Sequence, residues 1–347
     1  MARKRIAIIG LGMASAPHAR SLLDLADRVE VAAAYSPTPA RRQAFAREWG
    51  LPVSGDLDAI FSDPSIGAVM VLTPPNSHLN FVERAAAVGK HVLLEKPLDI
   101  SMQCAEQLVA AAEEAGVKLG VVLQHRFRPV STALAALIEG GRLGELVSAS
   151  AKLANWRPQS YYDQPGRGTK ARDGGGVLLT QGIHTLDLLI SLAGLPAEVS
   201  AFAATTPVHR METEDLAVGT VRYENGALGT IHATTTAYPG LPDSIELIGT
   251  QGTARIEGTK LFAAFHDGVQ LEHDDGALGG GAGADPMAFP HHHHRAVLED
   301  FLDAIETDDP ARQPKVSGRE ALKVHRLIEA LLRAAESGKR EAICAPV

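Results

Sequence analysis

Cysteine is almost absent from the 347-residue chain, which has only Cys104 and Cys344. Two cysteines cannot make a disulfide framework, and such sparse use fits a reducing, cytoplasmic setting. An excess of positive charge is also missing. The formal net charge of -8 supplies no electrostatic footprint for nucleic acid or an anionic membrane surface. No uninterrupted apolar run has the length of a membrane span. The basic start Arg3-Lys4-Arg5 leads into Ile6-Ala7-Ile8-Ile9, which Gly10 and Gly12 break at once, unlike a secretory signal. Aromatic residues make up only 5%, yet a hydrophobic share of 45% is ample for a folded core. A globular protein with small-molecule partners remains, long enough for two domains.

Ile6 to Ile9 reads as a parallel strand buried on both faces. Gly10-Leu11-Gly12-Met13-Ala14-Ser15 follows it, a dinucleotide fingerprint with Ser15 in place of the third glycine. Gly10 permits the tight turn, and Gly12 lets the main chain approach a pyrophosphate beside Met13 and Ala14. The helix that follows offers its N-terminal N–H groups to the same anion. The second strand, Val29 to Tyr35, should end beside the adenine ribose. An acid belongs there to bind a ribose 2'-hydroxyl, and this chain has Ser36, Thr38, Arg41 and Arg42 instead. Hydroxyls with arginine suit a 2'-phosphate, so NADP(H) is favoured over NAD(H).

Strands at Gly67–Leu72, His91–Glu95 and Lys118–Leu123 alternate with helices at Asn76–Val88 and Ser101–Ala115. This predicts a doubly wound α/β unit over residues 1–125. Lys96 and Pro97 follow one of those strands. A lysine at the carboxyl end of a parallel strand points into the ligand crevice, and the Lys-Pro bond in such a turn is a candidate cis peptide. From Val147 the pattern turns to alternating, β-branched segments: Val147–Ala154, Ala197–Thr205, Leu216–Tyr223, Ala227–Thr236, Ser244–Ile248 and Thr253–Ile256. Residues 126–347 are therefore expected to form an α+β domain with a large, open, mainly antiparallel sheet. A long helix ends near Ala193, closing helices at His294–Ile305 and Gly318–Ala335 pack back on the first domain, and Asp274–Pro290 is a flexible loop by composition.

The fingerprint ending in His18, the Thr73-Pro74-Pro75-Asn76-Ser77-His78 element, Glu95-Lys96-Pro97, Arg126-Phe127-Arg128-Pro129, and the run Gly174 to Asp187 occur in that order. Together they resemble the glucose-fructose oxidoreductase and inositol dehydrogenase family, also called Gfo/Idh/MocA. The resemblance runs nearly end to end. It implies a Rossmann domain joined to an α/β domain whose sheet mediates oligomerisation, and hydride transfer at one carbon of a sugar, polyol or sugar derivative. It further implies that Lys96 and His184 line the substrate site as the catalytic pair. Thr73, Pro74, Asn76, His78, Glu95, Lys96 and Gln124 are the cofactor contacts expected of such a chain. Many relatives carry an aspartate four residues before the histidine; Thr180 stands there here, and a hydroxyl cannot ionise as a carboxylate does.

The chemistry agrees with that reading. Oxidising an alcohol needs a base, and imidazole is poised for it near neutral pH. Thr180 and Asp187 share a helix face with His184, so Asp187 either orients the imidazole or makes an ordinary surface pair. Lys96 as an ammonium would bind the developing oxyanion. Trp156, Arg157, Tyr161 and Tyr162, with Arg126, Thr180 and Asp187, are candidate substrate contacts, with packing the alternative for at least one tyrosine. No metal is expected, because the adjacent histidines His291 to His294 point in different directions. A homodimer or homotetramer is expected. Two other functions fit less closely: a dihydrodiol or aromatic hemiacetal dehydrogenase, and a non-enzymatic cofactor-binding sensor.

Overall fold

The structure is a computed structural model that describes residues 3–276, 282–285, 289–307, 309 and 311–343. It divides into two compact units, the first made of residues 1–124 with 291–322, the second of residues 125–290 with 323–347.

In the first unit, β1 (Lys4–Ile9), α1 (Ser15–Asp24), β2 (Val29–Tyr35), α2 (Pro39–Trp49), β3 (Val53–Ser54) and α3 (Leu57–Ser62) make the first half. The second half comprises β4 (Ala68–Val71), α4 (His78–Ala87), β5 (His91–Leu94), α5 (Met102–Glu114) and β6 (Leu119–Val121). All pairings are parallel, in the order β3-β2-β1-β4-β5-β6. This is the doubly wound order, whose switch point lies between β1 and β4. Strands β1, β4 and β5 read as continuous apolar runs because helices cover both faces, and Ile6, Ile8, Met70 and Leu93 are fully buried. At the switch point Gly10 has φ +107°, and a Cβ there would lie 2.8 Å from the Leu72 carbonyl carbon. Only glycine fits that turn.

The second unit opens with α6 (Pro129–Glu139), β7 (Leu146–Trp156), α7 (Gln159–Tyr162), α8 (Lys170–Asp173), α9 (Ile183–Ala193) and β8 (Glu198–Ala204). It continues through β9 (Leu216–Arg222), β10 (Leu228–Thr234), β11 (Thr236–Gly249), β12 (Gly252–Glu257), β13 (Lys260–Phe265) and β14 (Gln270–Asp274). Then come α10 (His292–Glu306), which belongs to the first unit, α11 (Gly318–Ser337) and β15 (Glu341–Ala342). Among the described residues the sheet has nine strands in the order β14-β13-β12-β11-β7-β10-β9-β8-β15, antiparallel except for β7 beside β10. Helix α9 packs on β7 and β11, so alternate residues of those strands are buried and the others face outward.

Two expectations change. The segment Lys170–Ala193 is apolar and long enough to cross a membrane by composition, but its most apolar window is 78% buried, which marks a core helix. The loop expected at Asp274–Pro290 lies partly outside the described residues, at 277–281 and 286–288; within it, Asp274 closes β14.

Candidate active site

In the first unit the fingerprint turn fits a dinucleotide. A Cβ on Gly12 would meet no protein atom within 4 Å, so the main chain there is open to a close ligand. No side chain caps the N-terminus of α1, and Ser15 turns its hydroxyl back to the Gly12 carbonyl at 2.7 Å. Within the first turn Ser15 already donates its N–H to the Gly12 carbonyl at 3.0 Å and Pro17 has none, which leaves the Ala16 N–H for an anion. Met13 is exposed beside the turn, and Ala14 is half-buried. At the end of β2, Ser36 is buried and its hydroxyl accepts from the Thr38 N–H at 3.3 Å. Arg42, not Arg41, lies against this strand end. Its guanidinium donates to the Ser36 carbonyl at 2.5 Å and covers Gly55, while Arg41 is exposed.

The Lys96 loop is held from both sides. The Lys96–Pro97 bond is cis. Behind it, His78 is fully buried, with Nε2 at 2.8 Å from the Thr73 carbonyl and Nδ1 at 3.0 Å from the carbonyls of Pro97 and Leu98. Both ring nitrogens face main-chain carbonyls, so His78 holds this loop in shape. Ser77, not Asn76, precedes α4; Asn76 is exposed, and Thr73 accepts from the Ser77 hydroxyl at 2.8 Å. Glu95 accepts from the Lys96 main-chain N–H at 3.0 Å and from His18 at 2.8 Å, leaving the half-buried Lys96 side chain beyond it. Gln124, the last residue of this stretch, is buried, and its amide oxygen has no hydrogen-bond donor among the described residues.

In the second unit His184 sits in the first turn of α9, half-buried, after a π-helical turn at Leu178–Gly182. Such a turn is a local widening that re-aims the side chains after it. Its approach is fixed by Glu214, which accepts from the N–H groups of Gly176 at 3.0 Å and Leu178 at 3.1 Å. A Cβ on Gly176 would come within 1.8 Å of the Glu214 carbonyl oxygen, which explains the glycine. Burial pushes the Glu214 carboxyl up, and those N–H bonds only partly offset it.

The His184 ring lies 5.0 Å from that of His125, tilted by 31°. Behind His125, Arg128 contacts its Nε2 and donates to Asp243 at 3.1 Å, and Asp243 also accepts from Thr185 at 3.3 Å. Asp187 is wholly buried, and its two oxygens accept from Arg126 at 2.8 and 2.6 Å. Arg126 is itself buried, so this pair ties the segment after β6 to α9. Thr180 donates back to the Gly176 carbonyl at 2.6 Å.

The aromatic loop divides into framework and surface. Tyr162 is buried, donates to Thr235 at 2.9 Å and has its phenol pushed up to about 12 by burial. Arg157, also buried, donates to the carbonyls of Trp156 and Ala282, and burial pulls its pKa down. These two hold the loop together. Tyr161 and Trp156 are half-buried; Tyr161 lies between the guanidinium groups of Arg157 and Arg167, at 5.8 and 4.9 Å, and Trp156 meets the exposed Tyr238 edge-on. Sequence reasoning missed His125, Asp243 and Glu214; the last two meet partners 115 and 38 residues away in the chain.

Residues 4–123 match the family described as "Oxidoreductase family, NAD-binding Rossmann fold", and residues 132–255 match "GFO/IDH/MocA C-terminal domain". The chain belongs to the Gfo/Idh/MocA family of oxidoreductases. A 1,5-anhydro-D-fructose reductase of Ensifer adhaerens is 33% identical over 65% of this chain and 67% of its own. A D-xylose 1-dehydrogenase (NADP(+)) of Haloferax volcanii is 27% identical over 89% of this chain and 90% of its own. Among solved structures, the WlbA dehydrogenase of Bordetella pertussis, in complex with NADH and UDP-GlcNAcA, superposes with a TM-score of 0.86. It is 28% identical, covering 99% of this chain and 98% of that one.

Proposed function

We propose that this oxidoreductase oxidises one CH–OH carbon of a sugar, polyol or sugar derivative to a carbonyl, or runs the reverse reduction, with His184 as proton acceptor and Lys96 as oxyanion partner. The supporting observation is the built support behind each: the Glu95–Lys96–Pro97 turn held by His18 and His78, and the π turn and stacked His125 that set His184. A bound nicotinamide cofactor supplies the hydride chemistry. The alcohol proton leaves to the His184 imidazole, and the ammonium of Lys96 favours the negative oxygen that forms. Tyr161 and Trp156 are the proposed ring contacts, since an amphipathic aromatic face suits a sugar ring.

NADP(H) remains the preferred cofactor in this reading, with Arg42 as the 2'-phosphate partner and Ser36 and Thr38 beside it. NAD(H) is the competing choice, favoured by the WlbA complex. The outward face of the nine-stranded sheet is proposed to pair with a second copy, because Phe202 and Val218, cross-strand neighbours, are 82% and 43% exposed. A reducing, cytoplasmic setting agrees with the two cysteines. A screen of sugars, sugar acids, inositols and cyclic diols against both cofactors, read by reduced-nicotinamide absorbance, tests the function. Turnover of sugars or polyols supports it; turnover of aromatic diols alone would replace it with the dihydrodiol reading.

A further inference from the structure

His18 lies on the inner face of α1, one turn after Ser15 and one before Leu22, where a core apolar residue would ordinarily stand. It is fully buried, as is His294 on the inner face of α10 with Val297, Leu298 and Phe301. The two rings meet edge-on at 5.3 Å, and α1 and α10 are tied again at Asp24, which faces His291 at 2.7 Å and Arg295 at 3.4 Å. Burying two imidazoles is costly unless they do something with their polar atoms. What they meet is Glu95.

We propose that His18, Glu95 and His294 form a buried positioning cluster for Lys96, in which His18 and the Lys96 main chain share one carboxylate. Glu95 Oε1 accepts from His18 Nε2 at 2.8 Å, and Oε2 accepts from the Lys96 N–H at 3.0 Å. The carboxylate is therefore a bridge from a helix to the peptide that carries Lys96, and His294 closes the third side. Burial pushes the Glu95 carboxyl up, and the His18 hydrogen bond, helped by the charges of His18 and Lys96, brings it below its usual range. Glu95 thus stays an anionic acceptor.

The same three groups have the composition of a divalent-metal set, with ligand atoms all within 4.8 Å of one another. A tetrahedral ion needs its ligand atoms about 3.3 Å apart around bonds of about 2.0–2.1 Å. The direct His18–Glu95 hydrogen bond occupies that line instead. The cluster holds by hydrogen bonding, and its consequence falls on Lys96.

This inference rests on Lys96 facing the substrate, as proposed above, and the two can be tested apart. On an identified substrate, kcat, KM, the pH profile of kcat and cofactor Kd are measured for the parent, His18→Leu, His18→Gln and Lys96→Met. His18→Leu should lower kcat by about tenfold to a hundredfold, the scale of a misplaced group, with cofactor Kd nearly unchanged. It should also gain a new acid-side loss of kcat, because Glu95 then keeps the burial penalty without its donor. That added limb should vanish in His18→Leu/Glu95→Gln, a readout that general loosening would not produce. His18→Gln, which retains a donor, should recover much of kcat, and it serves as the test if His18→Leu does not fold. Parent-like kcat and pH profile in His18→Leu, or stoichiometric Zn(II) binding by the parent that His18→Leu abolishes, would overturn the positioning role. Parent-like turnover in Lys96→Met would overturn the reading of Lys96 itself, and the positioning role with it.

Discussion

Arg126 grips both carboxylate oxygens of Asp187, at 2.8 Å through Nε and 2.6 Å through Nη2, with side chains 6% and 0% exposed. A bidentate pair of this kind fixes orientation as well as distance. It fastens the main chain just after β6 to the helix that carries His184, three residues before Asp187.

Breaking this pair should be costly, because the abandoned charge stays buried. Arg126→Met is expected to lower stability by about 3–5 kcal/mol, and adding Asp187→Leu should restore a large part of it. Urea denaturation of the parent, both single variants and the double variant checks this. Additive losses in the double variant would contradict it.

The pH dependence of stability has a definite sign. Burial, with the neighbouring His18 charge, pulls His294 down to about 3, against an unfolded value near 6.5. Between those values the unfolded chain binds the extra proton and the folded chain does not, so stability is full above about pH 6.5 and falls as pH drops toward 3. The loss should reach a few kcal/mol, since each pH unit crossed between the two values costs about 1.4 kcal/mol. In denaturant titrations from pH 7 to 4, His294→Phe should flatten this slope. An unchanged slope would count against the buried neutral imidazole.

Cofactor choice is expected to run through Arg42. One guanidinium–phosphate contact contributes roughly 1.5–3 kcal/mol, about tenfold to a hundredfold in affinity. Arg42→Ala should weaken NADP(H) by that factor and NAD(H) hardly at all, while Arg41→Ala, at an exposed position, should do less. Titration calorimetry with both cofactors decides it, and a parent that binds the two equally would leave the preference without support.

The uncovered sheet face predicts a dimer or tetramer at micromolar concentration. Phe202→Lys with Val218→Glu should shift sedimentation toward monomer without loss of secondary structure. A monomeric parent would refute the assembly.

Much of the first unit was legible because its signals are local. Val29-Glu30-Val31-Ala32-Ala33-Ala34-Tyr35 is read as a strand and is one, end to end, and the Glu95-Lys96-Pro97 turn stands where a strand end predicts it. The second sheet was read less well. Strand β11 extends from Thr236 through Pro239 and Gly240 to Gly249 with shifts of register, whereas the pattern marks only Ser244–Ile248. A bulged strand breaks the two-residue period on which such reading depends. Strand β14 is exposed along its whole length, so no alternation announces it. The supports of His184 were hidden for another reason. Asp243 meets Arg128 across 115 residues of chain, and Glu214 meets Gly176 across 38, and no local pattern carries such pairings. Lys96 and His184 could be named as candidates from the chain; the framework around each could not.

That His184 takes the proton is the central claim, and its most direct test is turnover against cofactor affinity in His184→Ala. The predicted result is a kcat about a hundredfold or more below the parent, the scale of a lost general base, with cofactor Kd nearly unchanged. Near-parent kcat in His184→Ala on the true substrate would place the base elsewhere and contradict it.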